Sequence, residues 1–139
     1  MYLVDTNVVS ELRKVRAAKA NVGVAAWATS TPDSQLFISV VTLHELEYGV
    51  LLAQRSDPQK GALLRSWLDT SVAAAFANRV LPVDEDVARR AAQLHVPDPA
   101  PFRDALIGAT ALVHRMTVVT RNTRDFERFA DLDVFNPWT

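Results

Sequence analysis

The chain of 139 residues contains no cysteine, and this absence excludes several kinds of site at once. Without cysteine there is no disulfide framework, no thiolate zinc site and no cysteine nucleophile, and the chain fits a reducing compartment. A chain of this length can bury roughly two-thirds of its unfolded surface, so it needs no disulfide for stability. Hydrophobic residues make up 49% of the sequence, which supports a substantial core. We expect one domain over residues 1–139.

The sequence also lacks a strong charge of either sign and a long apolar run. Its formal net charge is −1 and its pI is about 6.3, so any contact with nucleic acid must depend on locally clustered basic residues. No run reaches the ~18 apolar residues of a membrane span. The N-terminal residues MYLVD do not form the basic and apolar regions of a signal peptide. We expect a cytoplasmic protein without membrane contact.

Several catalytic motifs are absent as well. The sequence has no Ser-His-Asp arrangement, no phosphate-binding loop and no dinucleotide fingerprint. The three histidines, His44, His95 and His114, share no close spacing, and we interpret them as structural or surface residues. A haloacid-dehalogenase-like phosphatase would need Asp-x-Asp after the first strand, but this chain has DTN there, which weighs against that class.

Acidic residues stand beside short apolar runs at four places along the chain. Carboxylates rarely lie in such runs unless something compensates their charge. The four places are Asp5 in YLVDTNVVSEL, Glu45 in ISVVTLHELEYGV, Asp104 in FRDALIGATALV, and Asn122 with Asp125 in VVTRNTRDF. A fold that gathers them would form an oxygen-rich pocket for Mg²⁺ or Mn²⁺. The pattern therefore predicts metal-assisted hydrolysis, with a phosphodiester as the expected substrate.

Short apolar strands alternate with helical patterns, which predicts an α/β fold with a parallel sheet covered on both faces. We predict strands at residues 2–4, 36–39, 79–83 and 116–119, and a possible last strand at 132–135. We also predict helices over residues 59–77 and 122–129. Ligands of such sheets bind at the carboxyl ends of the strands. Asp5 and Asn122 follow two of these strands, so both should lie on that edge.

Each acidic residue also has an ordinary structural interpretation. Asp5 is a good helix N-cap, and Asp104 lies in the first turn of a helix, where the helix dipole favours an acid. Glu45 and Glu47 both have apolar neighbours on one helix, so periodicity alone does not choose between them. The segment NTRD resembles a capping box with Asp in place of Glu.

Basic residues form two candidate edges for a phosphate backbone. One is the run RKVRAAK at residues 13–19, and the other contains Arg121, Arg124 and Arg128. A solvated face is the alternative for each run. Arg103 stands beside Asp104, where it could pair with that acid or meet a phosphate.

The four acidic segments, taken in order, resemble the PIN-domain proteins of the VapC type, which are toxins of bacterial toxin–antitoxin pairs. The matching pieces are YLVDTNVVSEL, SVVTLHELEYG, RDALIGATAL and VVTRNTRDFERF, and the ending VFNPW resembles the FitB-like branch. The resemblance spans essentially the whole chain. It implies a three-layer α/β/α fold with a central parallel sheet, a bound Mg²⁺ or Mn²⁺ ion, and endonucleolytic cleavage of RNA.

The resemblance also assigns the site residues by position. It implies that Asp5, Glu45 and Asp104 are the metal-binding acids. The fourth catalytic position is open between Asn122, where many relatives have an acid, and Asp125, one helical turn further on.

Further implications of the resemblance concern ordering of the site and partners. Thr120 and Asn7 match polar positions that help to order the site. The family implies homodimers and a small antitoxin of the VapB or FitA type that blocks the acidic pocket, with operator DNA in a higher assembly. The alternative is a non-catalytic PIN-like module that binds RNA or a partner, or that binds DNA only with an antitoxin. The amide at Asn122 keeps this alternative open.

Overall fold

A five-stranded parallel sheet forms the centre of the structure. The computed structural model describes residues 1–139. Its strands are β1 (Tyr2–Val4), β2 (Leu36–Ser39), β3 (Val80–Leu81), β4 (Thr117–Val119) and β5 (Val134–Phe135). Their order across the sheet is β3-β2-β1-β4-β5, and every neighbouring pair is parallel. Strand β1 lies at the centre of the sheet. The predicted strands are present, although β3 and β5 are shorter than predicted.

Seven helices surround the sheet. They are α1 (Thr6–Leu12), α2 (Val22–Ser30), α3 (Val40–Ser56), α4 (Pro58–Ser66), α5 (Ala73–Ala75), α6 (Glu85–Leu94) and α7 (Phe102–His114). A π-helical turn, Trp67–Val72, joins α4 to α5, so the helix predicted over 59–77 is present but interrupted. None of the helices is both long and apolar enough to cross a bilayer.

Side chains on the two faces of the sheet enter two different apolar clusters. Leu3 and Val118 pack with Ile107 of α7, whereas Val4 and Val119 pack with residues of α1 and α3. Successive residues of a strand point to opposite faces, so this division shows that helices cover both faces. All five of these residues are at most 1% exposed. The predicted α/β/α arrangement around a parallel sheet is confirmed.

The prediction of a helix over residues 122–129 is wrong. Only a 3₁₀ turn, Thr123–Asp125, forms there, and single turns follow it. Phe126 and Phe129 stand three residues apart, are 1% and 4% exposed, and share one core cluster. Hydrogen bonds from the Phe126 N–H to Thr123 O and from the Phe129 N–H to Phe126 O, both 3.1 Å, close these turns and bring both rings to the same side.

Candidate active site

Four elements bring polar and acidic side chains to the carboxyl edge of the sheet. Asp5 directly follows β1, and Thr120 directly follows β4, the strand beside it. Glu45 lies on the second turn of α3, which begins immediately after β2. Asp104 lies in the first turn of α7. The sheet order explains this grouping, because the three strands are neighbours and the residues that follow them start at one edge.

Asp5 is a buried carboxylate, 1% exposed, and both of its oxygen atoms accept hydrogen bonds from groups of the protein. Its Oδ1 accepts the backbone N–H of Thr6 at 2.8 Å, and its Oδ2 accepts the hydroxyl of Thr120 at 2.8 Å. The amide of Asn7 lies 3.3 Å from the Thr120 oxygen and 3.5 Å from Asp5 Oδ2. Hydrogen bonds to an ionised carboxylate offset the cost of its burial. Asp5 therefore serves as the N-cap of α1 and as a member of the site, and Thr120 and Asn7 orient it.

Arg103 joins the three predicted acids through three different nitrogen atoms. Its Nε donates to Glu45 Oε2 at 2.7 Å and its Nη1 donates to Asp104 Oδ1 at 3.1 Å. Its Nη2 forms an ion pair with Asp5 Oδ1. The sequence predicted that Arg103 could pair with Asp104 but gave no sign of the other two contacts, because those partners are 98 and 58 residues away.

The structure distinguishes Glu45 from Glu47, which helical periodicity did not, and it brings to the site the glutamate that the family resemblance implied. Glu45 accepts the hydroxyl of Thr6 at 2.6 Å as well as the Nε of Arg103. Burial raises the pKa of Glu45, but these two hydrogen bonds outweigh it, so the pKa lies below its ordinary value. Glu47 instead pairs with Arg65, whose Nη1 lies 2.9 Å from Glu47 Oε1, away from the acidic cluster.

Asp104 has the opposite electrostatic environment. Burial raises the pKa of Asp104 above its ordinary value, and the charges of Asp125 and Asp5 act in the same direction. The hydrogen bond from Arg103 opposes this shift without cancelling it. Clustered carboxylates raise one another's pKa in this way. The charge of Asp125 is therefore close enough to raise the pKa of Asp104, although the Asp125 side chain is exposed on the rim of the site.

The capping-box interpretation of Asn122 and Asp125 is wrong. The Asn122 side chain makes no capping hydrogen bond to the 3₁₀ turn that follows it. Its backbone N–H donates to Thr120 Oγ1 at 3.0 Å, so the Asn122 backbone helps to fix the hydroxyl that orients Asp5.

The two predicted basic runs lie near each other. The Arg121 N–H donates to Asn7 Oδ1 at 3.1 Å, which attaches the second run to the acidic site. Glu11 stands between the runs and forms an ion pair with Lys14 at 3.0 Å. The backbone N–H of Asn21 lowers the pKa of Glu11 most, and the charges of Lys14 and Arg121 lower it further. One residue of each run, Lys14 in the first and Arg121 in the second, therefore lies close enough to Glu11 to lower its pKa.

Arg128, at the end of the second run, has a structural role. Its guanidinium donates to the backbone carbonyl oxygens of Asp98 at 2.6 Å and Pro99 at 3.0 Å. It therefore holds the proline-rich loop before α7. For this residue the expectation of a phosphate contact is wrong, because its donors are directed at the loop.

Comparison with known proteins matches the family described as "PIN domain" over residues 2–132. The chain belongs to the PIN-domain family. The VapC ribonuclease Y4jK of Sinorhizobium fredii is 36% identical over 143 residues, covering 99% of this chain and 98% of that protein. The toxin FitB of Neisseria gonorrhoeae is 39% identical over 144 residues, covering 99% of both. The predicted family resemblance is confirmed.

Solved structures agree with this assignment. The crystal structure of FitAcB from Neisseria gonorrhoeae matches this PIN domain with a TM-score of 0.88 at 38% identity, covering 99% of both chains. The structure of FitAB bound to an IR36 DNA fragment also gives 0.88, at 37% identity, covering 100% of this chain and 96% of that one. The α/β/α sandwich described above is therefore the PIN fold.

The family implies a divalent metal, and the donor set of this PIN domain fits such an ion. Three carboxylates from three elements converge on a single cationic group, the guanidinium of Arg103. The guanidinium therefore marks a position at which the acids stabilise a cation. Carboxylate oxygens are the ligands that Mg²⁺ and Mn²⁺ prefer. In their present positions, no three acidic or imidazole groups lie close enough together to hold a metal ion. For an ion to replace Arg103, the three carboxylates would have to approach one another.

Proposed function

We propose that this PIN domain is a divalent-metal-dependent endoribonuclease that acts as the toxin of a toxin–antitoxin pair. The observation that carries the proposal is the convergence of Asp5, Glu45 and Asp104 on one cationic position at the carboxyl edge of the sheet. The relatives named VapC ribonuclease and toxin FitB, each covered almost completely, support the reaction and the role.

In the proposed reaction Asp5, Glu45 and Asp104 would hold Mg²⁺ or Mn²⁺. Bound there, the ion supplies Lewis-acid activation of water and neutralises charge on the phosphate. Thr120 keeps Asp5 in its orientation through the 2.8 Å hydrogen bond to Oδ2. Asp125 is our choice for the fourth acidic position, because its charge acts on Asp104 and its exposed carboxylate can orient the attacking water.

Two arginines beside Asp125, namely Arg121 and Arg124, mark the proposed path of the RNA backbone. A polar pocket of about 420 Å³ adjoins Asp125, and its lining residues are Arg121, Asn122, Thr123, Arg124 and Asp125. Arginine donors in such a pocket match phosphate oxygens. Because the net charge of the chain is −1, this local cluster must supply the attraction for RNA, and binding should weaken as salt rises.

We also propose an antitoxin of the VapB or FitA type as the regulatory partner. FitAB was solved with bound DNA, which supports an antitoxin complex that contacts operator DNA. An antitoxin that covers the acidic pocket would block access of RNA to Asp5 and Glu45. Homodimer formation and a cytoplasmic location remain predictions from the family and the sequence.

The test compares Asp5→Asn with Asp69→Asn in an RNA cleavage assay with Mg²⁺ or Mn²⁺. Asp69 is the matched control, because it is an exposed carboxylate that pairs only with Arg65. We expect Asp5→Asn to abolish cleavage while its circular dichroism spectrum stays native, and Asp69→Asn to cleave like the wild type. Addition of EDTA should stop wild-type cleavage. Full activity of Asp5→Asn, or cleavage that resists EDTA, would overturn the proposal.

The non-catalytic alternative has its own signature in the same assay. The family resemblance implies an acid at the position of Asn122, and the amide that this chain has there is the observation that favours a binding module. A binding module would retain RNA in a filter or gel-shift assay without cleaving it under any divalent metal. Metal-dependent cleavage by the wild-type protein would exclude it.

A further inference from the structure

The acidic site contains its own positive charge. One guanidinium faces three carboxylates, and each of its nitrogen atoms binds a different acid. Asp5 and Asp104 are 1% and 6% exposed, so water screens their repulsion only weakly. Arg103 is therefore the group that compensates the charge of this cluster in the metal-free protein.

The oxygen atoms that Arg103 binds are those that a metal would need. Asp5 Oδ2 is occupied by the Thr120 hydroxyl at 2.8 Å, and Glu45 Oε1 by the Thr6 hydroxyl at 2.6 Å. Asp5 Oδ1 and Glu45 Oε2 are the oxygen atoms that face the guanidinium of Arg103, and Asp5 Oδ1 also accepts the backbone N–H of Thr6 at 2.8 Å. An ion shared by these carboxylates must therefore take the position that Arg103 now holds.

We propose that Arg103 is a resident counter-cation, and that its guanidinium and a divalent metal ion occupy the acidic site alternately. This inference rests on the proposed metal site. Under this proposal the cluster of acids should fold without metal, since the internal cation replaces the ion. The affinity of the site for a metal ion should also be lower than the affinity of the same three carboxylates without Arg103, because entry of the ion breaks three charge-assisted hydrogen bonds.

The surrounding structure leaves room for the exchange. Arg103 is about one-third exposed, with 31% of its side chain accessible. It borders an open, largely apolar pocket of about 570 Å³. The other residues that line this pocket are Val40, Val41, His44, Glu45, Tyr48, Phe102 and Leu106. The guanidinium can leave the acids by rotation of its own side chain into this space, without repacking of the core.

The experiment measures Mn²⁺ binding by isothermal titration calorimetry, and melting temperature in EDTA, for wild type, Arg103→Gln and Arg65→Gln. Arg65→Gln is the matched control, because it removes the same charge from an arginine that pairs with Glu47 and Asp69 outside the site. We expect Arg103→Gln to bind Mn²⁺ about tenfold or more tightly than the wild type, since the internal competitor is gone. We expect its melting temperature to be the lowest of the three in EDTA and to recover with Mn²⁺.

The outcomes separate this inference from the proposed function. Equal Mn²⁺ affinity of wild type and Arg103→Gln would overturn the exchange while leaving the metal site intact. An equal gain in Arg65→Gln would also overturn it, because net charge would then be the cause. Absence of Mn²⁺ binding in every variant would overturn the metal site itself, and the exchange with it.

A measurement on the wild-type protein covers the case in which Arg103→Gln does not fold. The Nε–H of Arg103 is held by Glu45 at 2.7 Å, so its NMR signal should exchange slowly with water in EDTA. Saturation with Mg²⁺ should shift this signal and accelerate its exchange. An unchanged signal in a protein that has bound Mg²⁺ would show that the guanidinium and the ion coexist, which overturns the proposal.

Discussion

Replacement of Thr120 by valine should destabilise the protein through the loss of a single hydroxyl. The side chain is fully buried, and the hydroxyl donates to Asp5 Oδ2 at 2.8 Å while it accepts the Asn122 N–H at 3.0 Å. Valine keeps the shape but leaves a buried carboxylate oxygen without its main donor. A hydrogen bond to a charged group contributes about 1.5–3 kcal/mol, and Asn122 is exposed, so water can replace its lost partner. We expect a loss of about 2–3 kcal/mol.

The assay is urea unfolding in EDTA, supported by a thermal melt. A domain of this size loses about 4 °C of melting temperature per kcal/mol, so Thr120→Val should melt about 8–12 °C below the wild type. Thr120→Ser keeps the hydroxyl and removes only a buried methyl group, which should cost about 1 kcal/mol. RNA cleavage should fall in the valine variant more than in the serine variant. A serine variant as unstable as the valine variant would refute the reasoning, because packing would then outweigh the hydrogen bonds.

Three further predictions concern the rim of the site and the helices. Glu45→Gln should abolish RNA cleavage, whereas Glu47→Gln should retain it. Small and equal effects of the two substitutions on the cleavage rate would show that Glu45 is not a site residue. Asp125→Asn should lower cleavage with little change in melting temperature, because the side chain is exposed; intact cleavage would show that three acids suffice. Gly49→Ala should raise stability by up to about 1 kcal/mol, since an added Cβ meets no atom within 4 Å. Gly23→Ala should lower stability instead, because its Cβ would collide with the C-terminal backbone, and urea unfolding of the pair tests both signs.

The interruptions of regular structure mark where local patterns fail. The spacing of Leu63, Leu64, Trp67 and Leu68 indicates one helix, but it does not show that a π-helical turn will shift the register at Trp67. Residues Leu68 and Val72 of that turn are 4% and 5% exposed, so the shift accompanies their burial in the core. Tertiary packing overrides local helix geometry there, as it does at the 3₁₀ turn before Phe126.

The sequence by itself determined the strands, the parallel sheet and the edge on which the acids lie. A short run of apolar residues, whose side chains point alternately to the two faces of a sheet, defines a strand locally. An acid that directly follows such a strand, as Asp5 does, must emerge at the carboxyl end of that strand. Asp5, predicted as a helix cap, does accept the N–H of Thr6 at 2.8 Å, because capping involves only neighbours in the chain. The positions of the strands and of the helix cap depend on residues a few positions apart, so the sequence indicates them directly, and the alternation of strands with helices then predicts the parallel sheet.

Only the tertiary structure decided which charges meet. Helical periodicity does not distinguish Glu45 from Glu47. Which of them joins the acidic site depends on the arginine that each one meets in the folded chain. Glu45 meets Arg103, 58 residues away, and Glu47 meets Arg65, 18 residues away. The same holds for the pairing of Arg103 with Asp5 across 98 residues. Electrostatic energy depends on distance in space and on burial, and neither quantity is a property of sequence separation.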